Sequence, residues 1–92
     1  MASEFKLSVL TPERTVFEGS VEYVQVPGSQ GYLGVLAHHA ALVTGLAAGD
    51  LTLRHAGGRE ERMRVSGGFF EVSANRATVL ADQVSAEPGA TA

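Results

Sequence analysis

Apolar and polar residues alternate in several short runs along this chain, and a period of two predicts β-strands. In the first run Phe5, Leu7 and Val9 are apolar, whereas Lys6 and Ser8 are polar. Further strands are expected over residues 15–18, 21–26, 42–46, 51–55, 62–66, 69–73 and 77–81. Glycine, proline and asparagine lie between these runs and indicate tight turns. The pattern predicts an all-β fold, an antiparallel sandwich or barrel.

The stretch from Val26 to Thr44 contains three glycines and no aspartate, glutamate, lysine or arginine. Pro27-Gly28 predicts a turn, and we expect a loop through His39, followed by a strand. Residues 36–48 also carry apolar residues at helical spacing, but Gly45 lies among them, Gly49 follows them and no capping residue precedes them. A long uncharged loop is as typical of a recognition surface as of a segment that covers the core.

Composition narrows the class of protein. The 92 residues suffice for one small domain, and 45% of them are hydrophobic, which suits a packed core. The absence of cysteine excludes disulfides, thiolate chemistry and cysteine zinc sites. The formal net charge of −3 argues against nucleic-acid binding, which usually requires a basic surface. The sequence contains no recognisable membrane span or signal peptide. We expect one domain over residues 1–84 and a flexible tail over 85–92.

The sequence contains no convincing motif for catalysis, metal binding or phosphate binding. His38-His39 could bind a metal, but adjacent strand residues point to opposite faces, and no carboxylate lies within ten residues of the pair. Ser66-Gly67-Gly68 lacks the strand-to-helix context of a nucleophile elbow. The glycines of the 26–44 stretch do not form a phosphate loop, because no lysine follows and no helix begins there. We therefore expect no catalytic, cofactor or metal site, and favour a binding or assembly module.

Several segments, taken in order, resemble the epsilon subunit of bacterial F-type ATP synthases. The similarity runs without a gap from about Phe5 to Asp82 and covers nearly the whole chain. Its motifs are Phe17-Glu-Gly-x-Val21, Val26-x-Gly28-Ser-x-Gly31-x-Leu-Gly34, His39-Ala40 with Leu42-x-Thr44, Ser66-Gly67-Gly68, Glu71-Val72 and Val79-Leu80-Ala81-Asp82.

The resemblance implies an antiparallel sandwich of about ten short strands in the central stalk, and a non-catalytic rotor subunit. Such a subunit links the gamma subunit to the membrane c-ring, couples ion-driven rotation to ATP synthesis, and uses no cofactor. It lies at the cytoplasmic face of the bacterial plasma membrane. Carried over to this chain, the ring contact comprises Gly28, Ser29, Gln30, Gly31, Tyr32 and Gly34. The gamma contact comprises Thr11, His39, Leu42, Val43 and Thr44.

The chain departs from the family in three places. Ala37-His38-His39-Ala40-Ala41 stands where the family usually has Pro-Gly-His-Ala-Pro. If His38 adopts a positive φ, the strain is about 1 kcal/mol or more. Tyr32 stands where a carboxylate is common, so a charge pair with the ring is lost.

The third departure concerns inhibition. In the family a two-helix arm follows the sandwich and is held responsible for inhibiting ATP hydrolysis. Ten residues follow Asp82 here, and Pro88-Gly89 interrupts any helix among them. We expect no C-terminal helical hairpin and no inhibition of that kind. The alternative function is a stand-alone β-sandwich module that binds a peptide or carbohydrate, and a pull-down with the gamma subunit distinguishes the two.

Overall fold

Residues 3–86 are described by the computed structural model, and they form eight β-strands without a helix. The all-β prediction is confirmed. None of the described elements is a helix that could span a membrane. The strands are β1 (Phe5–Leu10), β2 (Thr15–Val21), β3 (Tyr23–Gly28), β4 (Gly31–Leu36), β5 (Leu42–Gly45), β6 (Gly49–Arg54), β7 (Glu60–Ser73) and β8 (Arg76–Ala86).

Hydrogen bonds connect the strands in the order β2-β1-β8-β7-β6-β3-β4, and β5 pairs with β7. The two long strands contribute to both layers of the sandwich. The first part of β7 pairs with β6 and its second part with β5, while the first part of β8 pairs with β1. One layer is therefore β2, β1, the first part of β8, the second part of β7, and β5. The other layer is the second part of β8, the first part of β7, β6, β3 and β4.

The fold prediction is confirmed with two differences. Eight continuous strands replace about ten short ones, because β7 and β8 each supply a segment to both layers. Every strand pair is antiparallel except β1 with β8, which is parallel. The sequence could not reveal this pair, since strand alternation carries no information about direction.

The bend between the layers lies at Gly67 and Gly68 of β7. Before the bend the buried side chains are at odd-numbered positions, Met63 and Val65. After the bend they are at even-numbered positions, beginning with Phe70. Both glycines have positive φ, 67° and 110°. A strand that turns from one layer to the other needs such a bend to keep apolar side chains pointing inward in both layers.

A single apolar cluster fills the space between the layers. All eight strands contribute to it, directly or through partly buried side chains, and no polar or charged side chain of the described residues is buried. Burying apolar area contributes about 25 cal/mol per Å², which makes this cluster the main stabilising term. Its members are Phe5, Leu7, Val9, Val21, Val24, Val26, Val35, Leu46, Leu51, Leu53, Met63, Val65, Phe70, Val72, Ala77, Val79 and Ala81.

The predicted loop through His39 is wrong over residues 31–36. These residues form β4, which pairs with β3 along its whole length, from Tyr23 opposite Leu36 to Gly28 opposite Gly31. The connection between the two strands is only Ser29 and Gln30, and Gly31 takes the positive φ that so tight a turn needs. The glycines that suggested a loop serve a hairpin instead.

The boundary between domain and tail at residues 84 and 85 stays a prediction. Strand β8 runs to Ala86, and its pairs of Ser85 with Arg64 and Ala86 with Met63 extend across that boundary. The rest of the predicted tail, with Pro88-Gly89, lies outside the described residues.

Candidate functional site

The predicted ring-contact residues form the end of the β3–β4 hairpin. Ser29 and Gln30 are exposed at its turn, and the amide of Ser29 donates a hydrogen bond to the carbonyl of Gly45 at 2.9 Å. Behind the turn, the amide of Ala47 donates to the carbonyl of Pro27 at 2.8 Å. The turn is therefore attached to the end of β5 and presents a fixed surface of exposed polar groups.

The three glycines of this hairpin have different roles. A Cβ on Gly28 would lie 2.8 Å from the carbonyl oxygen of Gly31, so the hairpin's own backbone requires glycine there. A Cβ on Gly34 would lie 2.6 Å from the hydroxyl of Tyr23, whose ring covers this position. Gly31 has no atom within 4 Å of its would-be Cβ. Of the three, Gly31 leaves its backbone open to a partner, while Gly28 and Gly34 make room for this chain's own atoms.

Tyr32 does not extend freely from the hairpin. Its hydroxyl accepts a hydrogen bond from the amide of Asp50 at 3.0 Å, and a Cβ on Gly49 would lie 2.6 Å from that oxygen. The side chain thus crosses the outer face of the sheet from β4 to the start of β6. It still remains 56% exposed. An exposed aromatic ring with a fixed orientation is well suited to contact a partner, because little conformational entropy is lost on binding.

The predicted gamma-contact residues divide into an exposed set and an inward set. His39 is exposed and Val43 is 69% exposed. Leu42 packs against the core, and the hydroxyl of Thr44 is directed toward Gly28 and donates to the carbonyl of Gly45. Thus His39 and Val43 can contact a partner directly, whereas Leu42 and Thr44 support the strand that carries Val43.

Thr11, the fifth residue of that set, lies in the turn between β1 and β2. Its amide donates to the carbonyl of Arg14 at 2.9 Å, and its hydroxyl accepts from the amide of Arg14 at 3.3 Å. With Pro12 it lines a surface cavity of about 270 Å³ whose other walls include Phe69 and Leu80. Thr11 therefore belongs to a structured turn beside an apolar surface.

That surface contains two residues that the sequence analysis did not single out. Phe69 and Leu80 are direct cross-strand neighbours on β7 and β8, and they are 61% and 50% exposed. Leu80 is also paired with Leu10 of β1, and Phe69 lies opposite Gly45 of β5. The available signal was Phe69 itself, an aromatic residue at an outward position of the strand alternation.

We call Leu10, Leu80, Phe69 and Val43 the apolar stripe. The stripe lies on the outer face of one layer. Glu71 is two residues from Phe69 and is exposed on the same side of β7, and Val43 is the direct cross-strand neighbour of Glu71, so Val43 also points outward. Thr11 adjoins the stripe at one end and β5 forms the other. Exposed apolar residues that are contiguous, rather than scattered, are typical of an interaction surface.

The three histidines are not brought together as metal ligands. His38 and His39 are exposed in the segment between β4 and β5, and Nδ1 of His39 lies 2.7 Å from the carbonyl oxygen of Ala40. His55 is in the β6–β7 hairpin, with Nε2 at 2.5 Å from a carboxylate oxygen of Glu61. Within residues 3–86, no group of three or more histidine or acidic residues is placed to bind a metal ion.

Comparison with known proteins identifies the family. The family model for the β-sandwich domain of the ATP synthase delta/epsilon chain matches residues 4–87. The ATP synthase epsilon chain of Moorella thermoacetica is 49% identical over 82 residues, which are 89% of this chain and 60% of that protein. The epsilon chain of Desulfitobacterium hafniense is 42% identical over 89 residues, 97% of this chain and 65% of that protein.

Solved structures agree on the fold. A chain of the Euglena gracilis mitochondrial ATP synthase superposes with a TM-score of 0.85 at 24% identity, over 90% of this chain and 53% of that one. A chain of the Tetrahymena thermophila central stalk and c-ring superposes with a TM-score of 0.74 at 15% identity, over 89% of this chain and 66% of that one.

This chain spans about 60% of the length of the first curated relatives that it matches. The family match, in contrast, includes all but one of the residues that the structure describes. The chain belongs to the ATP synthase delta/epsilon family and carries its β-sandwich domain.

Proposed function

We propose that this chain is a non-catalytic subunit of the central stalk of an F-type ATP synthase, where it links the gamma subunit to the c-ring. It couples ion-driven rotation to ATP synthesis and lies peripherally at the cytoplasmic face of the bacterial plasma membrane. The observation that carries the proposal is the family match over residues 4–87, together with identities of 42–49% to epsilon chains.

The ring contact is assigned to the β3–β4 turn and Tyr32. Residues 27–34 carry no ionisable charge at neutral pH, so little charge has to be desolvated when a partner covers them. Ser29 and Gln30 offer polar groups at the turn, and Tyr32 adds an aromatic surface beside it.

The gamma contact is assigned to the apolar stripe, Thr11 and His39. The stripe contributes neighbouring apolar side chains to this contact, and two of the residues carried over from the family, Thr11 and Val43, lie at its two ends. Burying exposed aromatic and aliphatic side chains is the largest favourable term in most subunit interfaces.

The two surfaces are mechanically connected. The hydrogen bond from Ser29 to Gly45 joins the ring-facing turn to the strand that carries Val43, and Leu46 donates from its amide to the carbonyl of Gly68 at 2.9 Å. Backbone hydrogen bonds thus run from the proposed ring contact to the layer that bears the stripe. A rotor link of this kind transmits torque without a flexible joint.

The test is reconstitution. The purified 92-residue chain, added to an ATP synthase from which epsilon has been removed, should bind the gamma subunit and restore ion-driven ATP synthesis. A heat-denatured sample of the chain serves as the control. Binding to peptide or carbohydrate libraries without binding to gamma would contradict the rotor function and favour a stand-alone module.

The same reconstitution tests inhibition. We expect the 92-residue chain to leave the rate of ATP hydrolysis by the epsilon-depleted catalytic complex unchanged, because residues 3–86 form strands and the family's inhibition is attributed to a helical arm. Hydrolysis is followed by phosphate release against increasing concentrations of the chain. Strong inhibition at concentrations that saturate gamma would overturn this part of the proposal.

Replacing Tyr32 by alanine should weaken attachment to the c-ring by about 2 kcal/mol, roughly thirtyfold, as truncation of an aromatic interface residue often does. Tyr32→Phe is the matched control, since it keeps the ring and loses only the hydrogen bond from the amide of Asp50. The measurement is binding of the gamma complex to c-rings at increasing salt concentration. We expect salt to change wild-type binding little, because residues 27–34 are uncharged. Attachment that survives Tyr32→Ala and dissociates in high salt would show an electrostatic contact instead.

A further inference from the structure

The segment that joins β4 to β5 contains a backbone conformation that its sequence does not favour. His38 has a φ of 63°, although it is not glycine. The family usually has glycine at this position, and the positive φ, which the sequence alone left open, is strained for a residue other than glycine. The segment crosses from one layer of the sandwich to the other and carries His39, so its shape determines where His39 is presented.

Asn75 contacts this segment from a distant part of the chain. Its side-chain oxygen accepts a hydrogen bond from the amide of His38 at 2.7 Å. Its side-chain nitrogen donates to the carbonyl of Glu4 at 3.0 Å, and its own carbonyl accepts from the amide of Lys6 at 3.4 Å. One residue thus connects the β7–β8 turn, the start of β1 and the β4–β5 segment.

Asparagine suits this position for two reasons. Asn75 has a φ of 60° and is preceded by Ala74 at 52°, as a tight hairpin turn requires, and asparagine tolerates that region better than most residues. Its amide group also combines an acceptor and a donor, which the two neighbouring backbones need. An alanine would lack both groups, and a glycine would keep the turn but lose the hydrogen bonds.

We infer that Asn75 is a positioning residue, which fixes the left-handed conformation of His38 and thereby the presentation of His39 to the gamma subunit. The importance of His39 rests on the proposed function, whereas the effect on His38 does not. His38 is exposed and has a strained φ for a residue other than glycine. Its amide is hydrogen-bonded to the side chain of Asn75, 37 positions away in the sequence.

The experiment compares three variants of the 92-residue chain. Asn75→Gly keeps the turn and removes both side-chain hydrogen bonds. Asn75→Asp keeps the acceptor for the amide of His38 and should rescue the segment. Ala74→Gly is the matched control, because it changes the same turn at a positive φ without touching His38. Amide hydrogen exchange of His38 is measured by NMR, and the dissociation constant for gamma by calorimetry.

In Asn75→Gly we expect the His38 amide to exchange about tenfold faster and the dissociation constant for gamma to rise about fivefold, as loss of one hydrogen bond implies. Exchange of core amides in β6 should not change, and Asn75→Asp and Ala74→Gly should resemble the wild type at His38. Unchanged His38 exchange in Asn75→Gly would overturn the inference. Faster exchange with unchanged gamma binding would refute the role in presenting His39. A wild-type chain that fails to bind gamma would contradict the proposed function, and the exchange data would still decide the role of Asn75 at His38.

Discussion

Replacing Gly68 by alanine should lower the free energy of unfolding by about 3 kcal/mol or more, a large share of the stability of a small domain. Gly68 has a φ of 110°, where an L side chain is strained. In addition, a Cβ at this position would overlap the carbonyl oxygen of Leu80 and lie 2.9 Å from the Cα of Ala81. Both obstacles are backbone atoms of β8, so no rotamer change can relieve them.

The reason for this sensitivity is the position of Gly68 in the sandwich. It lies in the bend by which β7 passes from one layer to the other, and it pairs there with Ala81. Its carbonyl also accepts the hydrogen bond from the amide of Leu46. To admit a methyl group, β7 and β8 would have to separate, which breaks the longest strand pair of the fold at its bend.

Gly58→Ala is the matched control for this variant. Gly58 has a similar φ of 96°, but no atom lies within 4 Å of its would-be Cβ. Alanine there should cost about 1 kcal/mol of backbone strain without any clash. Urea denaturation of both variants gives the difference, which isolates the contribution of close packing. A Gly68→Ala midpoint equal to that of Gly58→Ala would show that the two strands yield easily at the bend.

Much of the fold follows from strand alternation. The alternating runs that became β1, β6 and both parts of β7 were predicted as strands, and on one face of them Leu7, Leu51, Leu53 and Phe70 are fully buried. The bend at Gly67-Gly68 was also predicted in the right place. What alternation cannot show is that hydrogen bonding continues through the bend, which is why β7 is one strand and not two.

Strand β4 was missed for a physical reason. Gly31 and Gly34 lower the strand propensity of an uncharged stretch, and each has a cause that is local to the folded structure. Gly31 supplies the positive φ of the turn, and Gly34 makes room for the ring of Tyr23 on the neighbouring strand. The second cause is a contact across two strands, which no window along the sequence contains.

The candidate site was predictable in part. The resemblance pointed to Val43 and His39, which are exposed, but also to Leu42 and Thr44, which lie on the inward side of the strand that carries Val43. Phe69 falls in the strand predicted over residues 69–73, yet the significance of its exposed side chain depends on Leu80 beside it, and that pairing is fixed by the register of β7 and β8. The bond from Asn75 to His38 is equally invisible to local patterns.

The second large effect is expected at the apolar stripe. Phe69→Glu should weaken binding of the gamma subunit by about 2–4 kcal/mol, between thirtyfold and a thousandfold, since it removes an aromatic contact and forces an unpaired carboxylate into the interface. Phe69 occupies the middle of the stripe, opposite Leu80, and side chains at the centre of an interface are the most completely desolvated. The folded domain should tolerate the change, because the side chain is 61% exposed.

Leu36→Glu is the matched control, because Leu36 is also apolar and 58% exposed but belongs to β4 in the other layer. Binding of each variant to gamma is measured by calorimetry, and its melting temperature confirms that the domain is folded. We expect the Phe69 variant to lose binding while melting within a few degrees of the wild type, as surface substitutions usually do. Equal losses in both variants would mean that binding responds to added negative charge in general. Loss in Leu36→Glu alone would move the gamma contact to the opposite layer, because an interface centred on the stripe cannot be insensitive to a charge at its middle.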